Sequence, residues 1–395
     1  MGEGFQRKYK EDRPVVAICY DFDKTLSPDD MQAQGFIQKV GYNVGEFWKE
    51  SNRLARENGM DSNLAWMYLM ITKAVGKTPM TKESLREYGS KVRLFPGVRH
   101  WFRRIREFGI KNNVIVEHYI ISSGLREMIE GTPVGGEFEK IYASSFYFDD
   151  AGIARWPAQA INYTGKTQFL FRIEKGVLDV NDPGVNDSFP PEKIRVPFRN
   201  IIYIGDSDTD IPCMKLVSTN GGHSIGVFDA TTQDKAKVWK MMREKRIRYF
   251  APADYNDGSD LDSLVKDIIL RTAMNERLEE RHINDLAEIR GSAPEAGSRA
   301  RRLLRQNIIA ALERSNSFTG TRTVISDAAG IRDWTQEEIE EILEIGLMNS
   351  QVRCILGEES VRDFYQGLLE LPGCGMNTES AGEIEHLIRT GAKRA

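Results

Sequence analysis

The chain has 395 residues, 41% of them hydrophobic and 28% charged, an ordinary balance for a globular protein with room for two domains or more. A formal net charge of −4 supplies no global basic field for nucleic acid or an anionic membrane, and no apolar run approaches the ~20 residues of a membrane span. The cysteines, at 19, 213, 354 and 374, form no CxxC pair, so a reducing cytoplasm is the expected location.

Residues 1–13 are polar and charged and are expected to form an N-terminal tail. They hold no signal-peptide core, and Gln6 stands where a myristoylation motif takes Ser or Thr. The first strong signal is V-V-A-I-C-Y-D-F-D-K-T-L over residues 15–26. A run apolar at nearly every position predicts a strand buried on both faces of a parallel sheet. Asp21 then lies at its carboxyl end, where open α/β sheets place ligands, with Asp23 and Thr25 just beyond. Residues 31–94 carry apolar positions at helical spacing, among them Phe36, Ile37, Phe47, Trp48, Trp66, Met67 and Met70. Residues 98–108 predict an amphipathic helix whose arginines face solvent.

A second apolar run, E-H-Y-I-I-S-S-G at 117–124, ends in Ser122, Ser123 and Gly124. Residues 142–148 and 153–161 read as strands flanking a turn. Lys166 opens a helix after a glycine-led turn. Lys175 falls at the far end of that helix and is the competing candidate. Residues 176–198 read as a long polar loop. A third run, at 200–210, ends in G-D-S-D-T-D, bringing Asp206 and Asp210 to the same sheet edge. Further strands are expected at 225–228 and 248–252, and helices near 232–246 and from Asp260 onward. His118 and His223 lie in or beside predicted strands without metal-ligand spacing, so each is assigned a structural role.

Residues 291–298, G-S-A-P-E-A-G-S, predict a linker. Beyond it, helices are expected around Leu304–Ile308–Leu312, after a Thr335/Glu338 capping box, along Val361–Phe364–Tyr365–Leu368, and around Ile384. Their apolar faces must be buried, either against each other as a small domain or against a second chain, as a homo-oligomer or a complex with a protein partner. The arginines at 299, 301, 302 and 305 read as a solvated helix end.

Three strand ends and one lysine thus supply carboxylates, a hydroxyl and a positive charge, in an order that resembles the haloacid dehalogenase superfamily of phosphotransferases. The likeness is nearest to its phosphoserine-phosphatase-like branch and spans roughly residues 14–272. Residues 115–215 also resemble an uncharacterised bacterial branch of the family. The resemblance implies an α/β fold with a Rossmann-like parallel sheet core (14–30 and 95–272) and an inserted helical cap (31–94); outside it, the residues themselves predict a helical extension and linker (273–298) and a mainly helical C-terminal module (299–395). The resemblance further implies Asp21 as nucleophile, Asp23 as general acid and base, and Ser122 and Lys166 on the phosphoryl oxygens. Thr25, Ser123 and Gly124 would contact substrate. Mg²⁺ would be held by Asp21, the Asp23 carbonyl and Asp206, with Asp210 supporting its waters or orienting Lys166. The implied reaction is hydrolysis of a small phosphorylated metabolite through an aspartyl-phosphate. Two alternatives stay open: a phosphomutase or phosphotransferase of the same fold, and a regulatory protein whose C-terminal module carries the main role.

Overall fold

The computed structural model describes residues 5–189, 193–232, 234–289, 298–315, 317–371 and 379–390. They divide into two compact units: one drawn from Arg13–Asp187 and Arg195–Ile283, the other from Met1–Asp12, Ser188–Ile194 and Asn284–Ala395. The linker expected at 291–298 lies outside the described residues except for Ser298.

The larger unit opens with β1 (Val15–Tyr20), followed by the helices α1 (Phe36–Lys39), α2 (Val44–Asn58), α3 (Ser62–Ala74) and α4 (Lys82–Ser90). Then come α5 (Val98–Lys111), β2 (Ile115–Leu125), α6 (Arg126–Gly131), β3 (Lys140–Phe148), β4 (Ala154–Gln159) and α7 (Thr167–Lys175). The run closes with β5 (Ile201–Gly205), α8 (Ile211–Thr219), β6 (His223–Phe228), α9 (Ala236–Arg243), β7 (Tyr249–Pro252) and the start of α10 (Asp260–Ile289). The strands form one sheet in the order β4-β3-β2-β1-β5-β6-β7. All neighbours pair in parallel except β3 with β4. This is a mixed α/β, Rossmann-like architecture, as the sequence predicts. Strand β4 carries Pro157 and lies at the sheet edge, where a missing backbone donor is tolerated.

Side chains alternate across a strand, and β1 therefore feeds two cores. Val16, Ile18 and Tyr20 join one apolar cluster with α5, α10 and the helical insert. Val15, Ala17 and Cys19 join another with α7, α8 and α9. Burial on both faces explains why the strand reads as a continuous apolar run. The loop after α7 returns to the sheet through Arg195. Its guanidinium makes a buried bidentate pair with Glu117 at 2.7 and 2.8 Å, and the Tyr119 hydroxyl donates to the same carboxylate at 2.7 Å.

His118 is wholly buried in β2. The Trp101 indole donates to the Tyr20 oxygen at 2.7 Å, leaving the Tyr20 hydroxyl to donate to His118 Nδ1 at 3.0 Å. His118 Nε2 then carries the proton, facing the Phe102 carbonyl at 3.3 Å. Burial first, and the Arg106 charge second, push its pKa down to about 3. An unfolded histidine titrates near 6.5, so below that pH the unfolded chain binds the extra proton and stability falls. Between pH 7 and pH 5 this one group should remove about 2 kcal/mol. The stability gap between the parent and His118→Asn, from urea unfolding, should narrow by that amount over the same interval. A constant gap would contradict a neutral buried imidazole.

In the smaller unit, α11 (Ser298–Glu313), α12 (Phe318–Ala328), α13 (Gln336–Met348), α14 (Ser350–Ile355), α15 (Glu359–Leu369) and α16 (Glu379–Thr390) bury their apolar faces against one another. Ile309, Leu312, Ile342, Leu343 and Tyr365 are at its centre. The Thr335/Glu338 capping box is formed. Arg305, expected as a solvated helix end, is buried and pairs with Glu338 and Asp333, each at 2.8 Å. Residues 5–12 and 188–189 also belong here: Asn307 donates to the Lys10 carbonyl at 2.9 Å, and the Arg314 guanidinium stacks 3.6 Å from the Phe189 ring centre.

Candidate active site

Parallel strands with right-handed crossovers bring their carboxyl ends to one edge of the sheet. At the end of β1 the Asp21 amide donates to the Ile204 carbonyl at 2.9 Å, tying it to β5. The chain then turns tightly: the amides of Leu26 and Ser27 both return to the Phe22 carbonyl, and Lys24 takes the left-handed φ of 58°. Asp23 Oδ1 accepts from the Met31 amide at 2.9 Å, which fixes the entry to the helical insert.

At the end of β2 the Gly124 amide donates to Ser122 Oγ at 3.0 Å. A Cβ at Gly124 would lie 2.5 Å from Met31 Cε and 3.0 Å from Asp23 Oδ2. Only glycine lets this turn approach Asp23 so closely. At the end of β5 a Cβ at Gly205 would lie 2.7 Å from Asp210 Cγ. The Asp210 carboxylate folds back into that space and accepts from the Ser207 amide at 3.0 Å and hydroxyl at 2.8 Å.

Lys166 is fully buried and donates to Asp21 Oδ1 at 3.1 Å and Asp210 Oδ1 at 2.7 Å. Lys175 instead donates to the carbonyls of Val185 and Asp187 at 2.8 and 2.6 Å, bracing the loop after α7. Geometry thus selects Lys166 for the acidic cluster. Burial opposes the Lys166 charge, but Asp21 and Asp210 outweigh it and hold the ammonium well above its usual range. Burial and the nearby Asp210 push Asp21 up to about 6, against the pull of Lys166. Burial pushes Asp206 up to about 7, with Lys237 opposing. Burial, then Asp30 and Asp21, raise Asp23 well above the carboxylate range.

Asp21, Asp206 and Asp210 each offer one oxygen, all within 4.8 Å of one another. This is a hard-oxygen donor set of the kind that suits a divalent cation. Burial first, and the crowding of like charges after it, raise Asp21 and Asp206, and a bound cation would offset both.

A profile of the haloacid dehalogenase-like hydrolases matches residues 18–215. The chain belongs to this family. An uncharacterised protein of Borreliella burgdorferi is 26% identical over 272 residues, 62% of this chain and 94% of its own. A haloacid dehalogenase family hydrolase of Salmonella enterica serovar Typhi shares 17% identity with a TM-score of 0.42, over 66% of this chain and 72% of its own. A probable phosphoserine phosphatase of Vibrio cholerae shares 13% with a TM-score of 0.42, over 68% of each.

In this member of the haloacid dehalogenase-like hydrolases, a cavity of about 320 Å³ opens over the strand ends. Asp21, Asp23, Ser122, Ser123, Gly124 and Asp206 line it. Lys166 and Asp210 sit behind Asp21, in the layer beneath. Thr25 is buried below the turn; its carbonyl accepts from Tyr255 at 2.9 Å. Sequence reasoning missed three groups. Tyr203 donates to Asp210 Oδ1 at 2.9 Å from the middle of an apolar strand, where its hydroxyl gives no signal. Lys24 pairs with Asp30 at 3.0 Å, and Lys237 on α9 reaches Asp206 at 3.4 Å. Lys237 is indistinguishable in sequence from Lys235 and Lys240 nearby.

Proposed function

We propose that this hydrolase is a Mg²⁺-dependent phosphomonoesterase that works through an aspartyl-phosphate on Asp21. The observation that carries the reading is the juxtaposition of the buried Asp21 carboxylate with Lys166, 3.1 Å behind it, and with a second carboxyl, Asp23, whose pKa is raised by burial and by the Asp30 and Asp21 charges. An Asp21 oxygen attacks phosphorus as the bond to the leaving oxygen breaks. Asp23 gives its proton to that oxygen, then takes one from the water that attacks the aspartyl-phosphate and regenerates Asp21. Ser122 and Lys166 stabilise charge on the phosphoryl oxygens. Mg²⁺, held by Asp21, the Asp23 carbonyl and Asp206, would neutralise charge on phosphate and on the crowded carboxylates. The raised Asp23 value supports the acid role, because an ordinary aspartate carries no proton at neutral pH.

The helices between residues 31 and 94 would serve as cap, and Thr25 would act by shaping the turn below the substrate. A cytoplasmic address is proposed on the free thiols of Cys19 and Cys213. No helix among the described residues is long and apolar enough to cross a membrane. We assign residues 299–395 to assembly, with a second copy or a protein partner.

Excess chelator should abolish phosphate release from p-nitrophenyl phosphate, and Mg²⁺ added back should restore it. Without a cation the carboxylates of Asp21, Asp30 and Asp206 in the cavity wall repel a dianionic phosphate. Undiminished turnover in chelator would sink the metal assignment.

A further inference from the structure

The cavity has two sides of different character. Its strand-end side carries every acidic and basic lining residue: Asp21, Asp23, Asp30 and Asp206, with Lys24 and Lys237. Both lysines already face carboxylates, Lys24 at Asp30 and Lys237 at Asp206. The opposite side is formed by Trp48, Ser51, Asn52, Ser62, Asn63 and Trp66, and none of them is charged.

This neutral roof is built firmly. Helix α2 starts on the Asn43 side chain, which accepts from the Gly45 amide at 2.8 Å, and stops at Gly59 in the left-handed region. Spacing of i, i+3 and i+4 then puts Trp48, Ser51 and Asn52 on one face. Helix α3 starts on Asp61, and its Asn63 ties the roof to the core by donating to the Ile161 carbonyl at 2.7 Å. The Trp66 indole is already used, donating to Asn63 at 3.2 Å.

Three polar groups of the wall are not used. The Trp48 indole nitrogen, the Gln32 amide oxygen and the Ser123 hydroxyl are buried without a hydrogen-bond partner among the described residues, and all three residues line the cavity. Gln32 is 2% exposed. Buried polar groups are costly unless paired, so a donor, an acceptor and a hydroxyl are available to a ligand.

We propose, resting on the phosphomonoesterase reading, that the substrate is the monophosphate of a small neutral polyol or sugar. Its hydroxyls can both accept from Trp48 and donate to Gln32, and its C–H faces can lie on the indole. An amino-acid ester needs a cation for its carboxylate and an anion for its ammonium, and the roof has neither. A nucleoside would ask for a broad stacking platform, but Trp66 is only 5% exposed, leaving one indole.

The test is phosphate release by the full-length protein with Mg²⁺ from glucose 6-phosphate, glycerol 3-phosphate, phosphoserine, 3-phosphoglycerate, AMP and p-nitrophenyl phosphate. The better polyol ester should exceed phosphoserine, 3-phosphoglycerate and AMP in kcat/KM by at least tenfold. Release from p-nitrophenyl phosphate with any of those three preferred overturns this proposal and leaves the phosphatase reading standing. Release from none of the six overturns both. Asn52→Arg, at an exposed helical position, puts a cation in the roof. It should lower the ratio of glucose 6-phosphate to 3-phosphoglycerate turnover at least tenfold, and an unchanged ratio also overturns the proposal.

Discussion

Asp21→Asn is expected to lower kcat for phosphate release by about 10⁴-fold or more, the scale on which removal of a covalent nucleophile acts. The amide nearly matches the carboxylate in volume but has no anionic oxygen to attack phosphorus. The fold should survive. Asp21 is 5% exposed and its pKa is pushed up to about 6, by burial first and by Asp210 second. A neutral group there removes a charge that the fold holds at a cost, while Lys166 keeps its 2.7 Å contact with Asp210. The melting temperature should therefore stay within a few degrees of the parent. Initial rates on p-nitrophenyl phosphate, beside a melting curve, check both halves. A folded variant keeping a tenth of the parent rate would remove Asp21 from the nucleophile's role.

The parts of the site that were legible in sequence are those that chain topology delivers by itself. Apolar runs ending in Asp21, Ser122 and Asp206 specify parallel strands, and parallel strands align their carboxyl ends without further information. The place of Lys166, rather than Lys175, beside the acidic cluster was legible for a similar reason: one follows the turn and the other ends the helix. What stayed hidden depends on how separate elements meet. Trp48 and Asn63 share a wall only because α2 and α3 meet over the strand ends. The reach of Lys237 to Asp206 depends on where α9 packs.

The unforeseen elements have local causes. Helix α12 reads F-T-G-T-R-T-V-I-S-D-A, with three threonines and a glycine of low helix propensity. Its buried face is Thr321, Ile325 and Ala328, too weakly apolar to show a period. Helix α14 has six residues, fewer than two turns. Residues 188–189 gave no sign of belonging with the C-terminal helices, because Phe189 is a lone aromatic in a polar loop. Its stacking against Arg314 joins residues far apart in the chain.

Lys166→Met is expected to lower kcat/KM by about 10³-fold, at or above the effect of removing one preorganised charge-stabilising donor. Lys175→Met should stay within several-fold of the parent, because Lys175 braces a loop away from the cavity. The two variants should also differ in stability. Methionine roughly fills the lysine's space, but Asp21 and Asp210 lose the cation they share. Breaking a buried pair costs roughly 3–5 kcal/mol, so Lys166→Met should melt well below the parent at neutral pH in chelator. The sign of its pH dependence follows. Without Lys166, the Asp21 pKa rises further above that of an unfolded aspartate near 3.9. The folded state then binds more protons than the unfolded chain between those values, and stability rises as pH falls. From pH 8 to pH 5.5 the variant should regain part of its deficit relative to the parent. Melting curves across that range and kcat/KM at neutral pH decide the matter together. If Lys175→Met is the more damaged enzyme, or if the Lys166→Met deficit is flat with pH, Lys166 is not the cation that holds this cluster together.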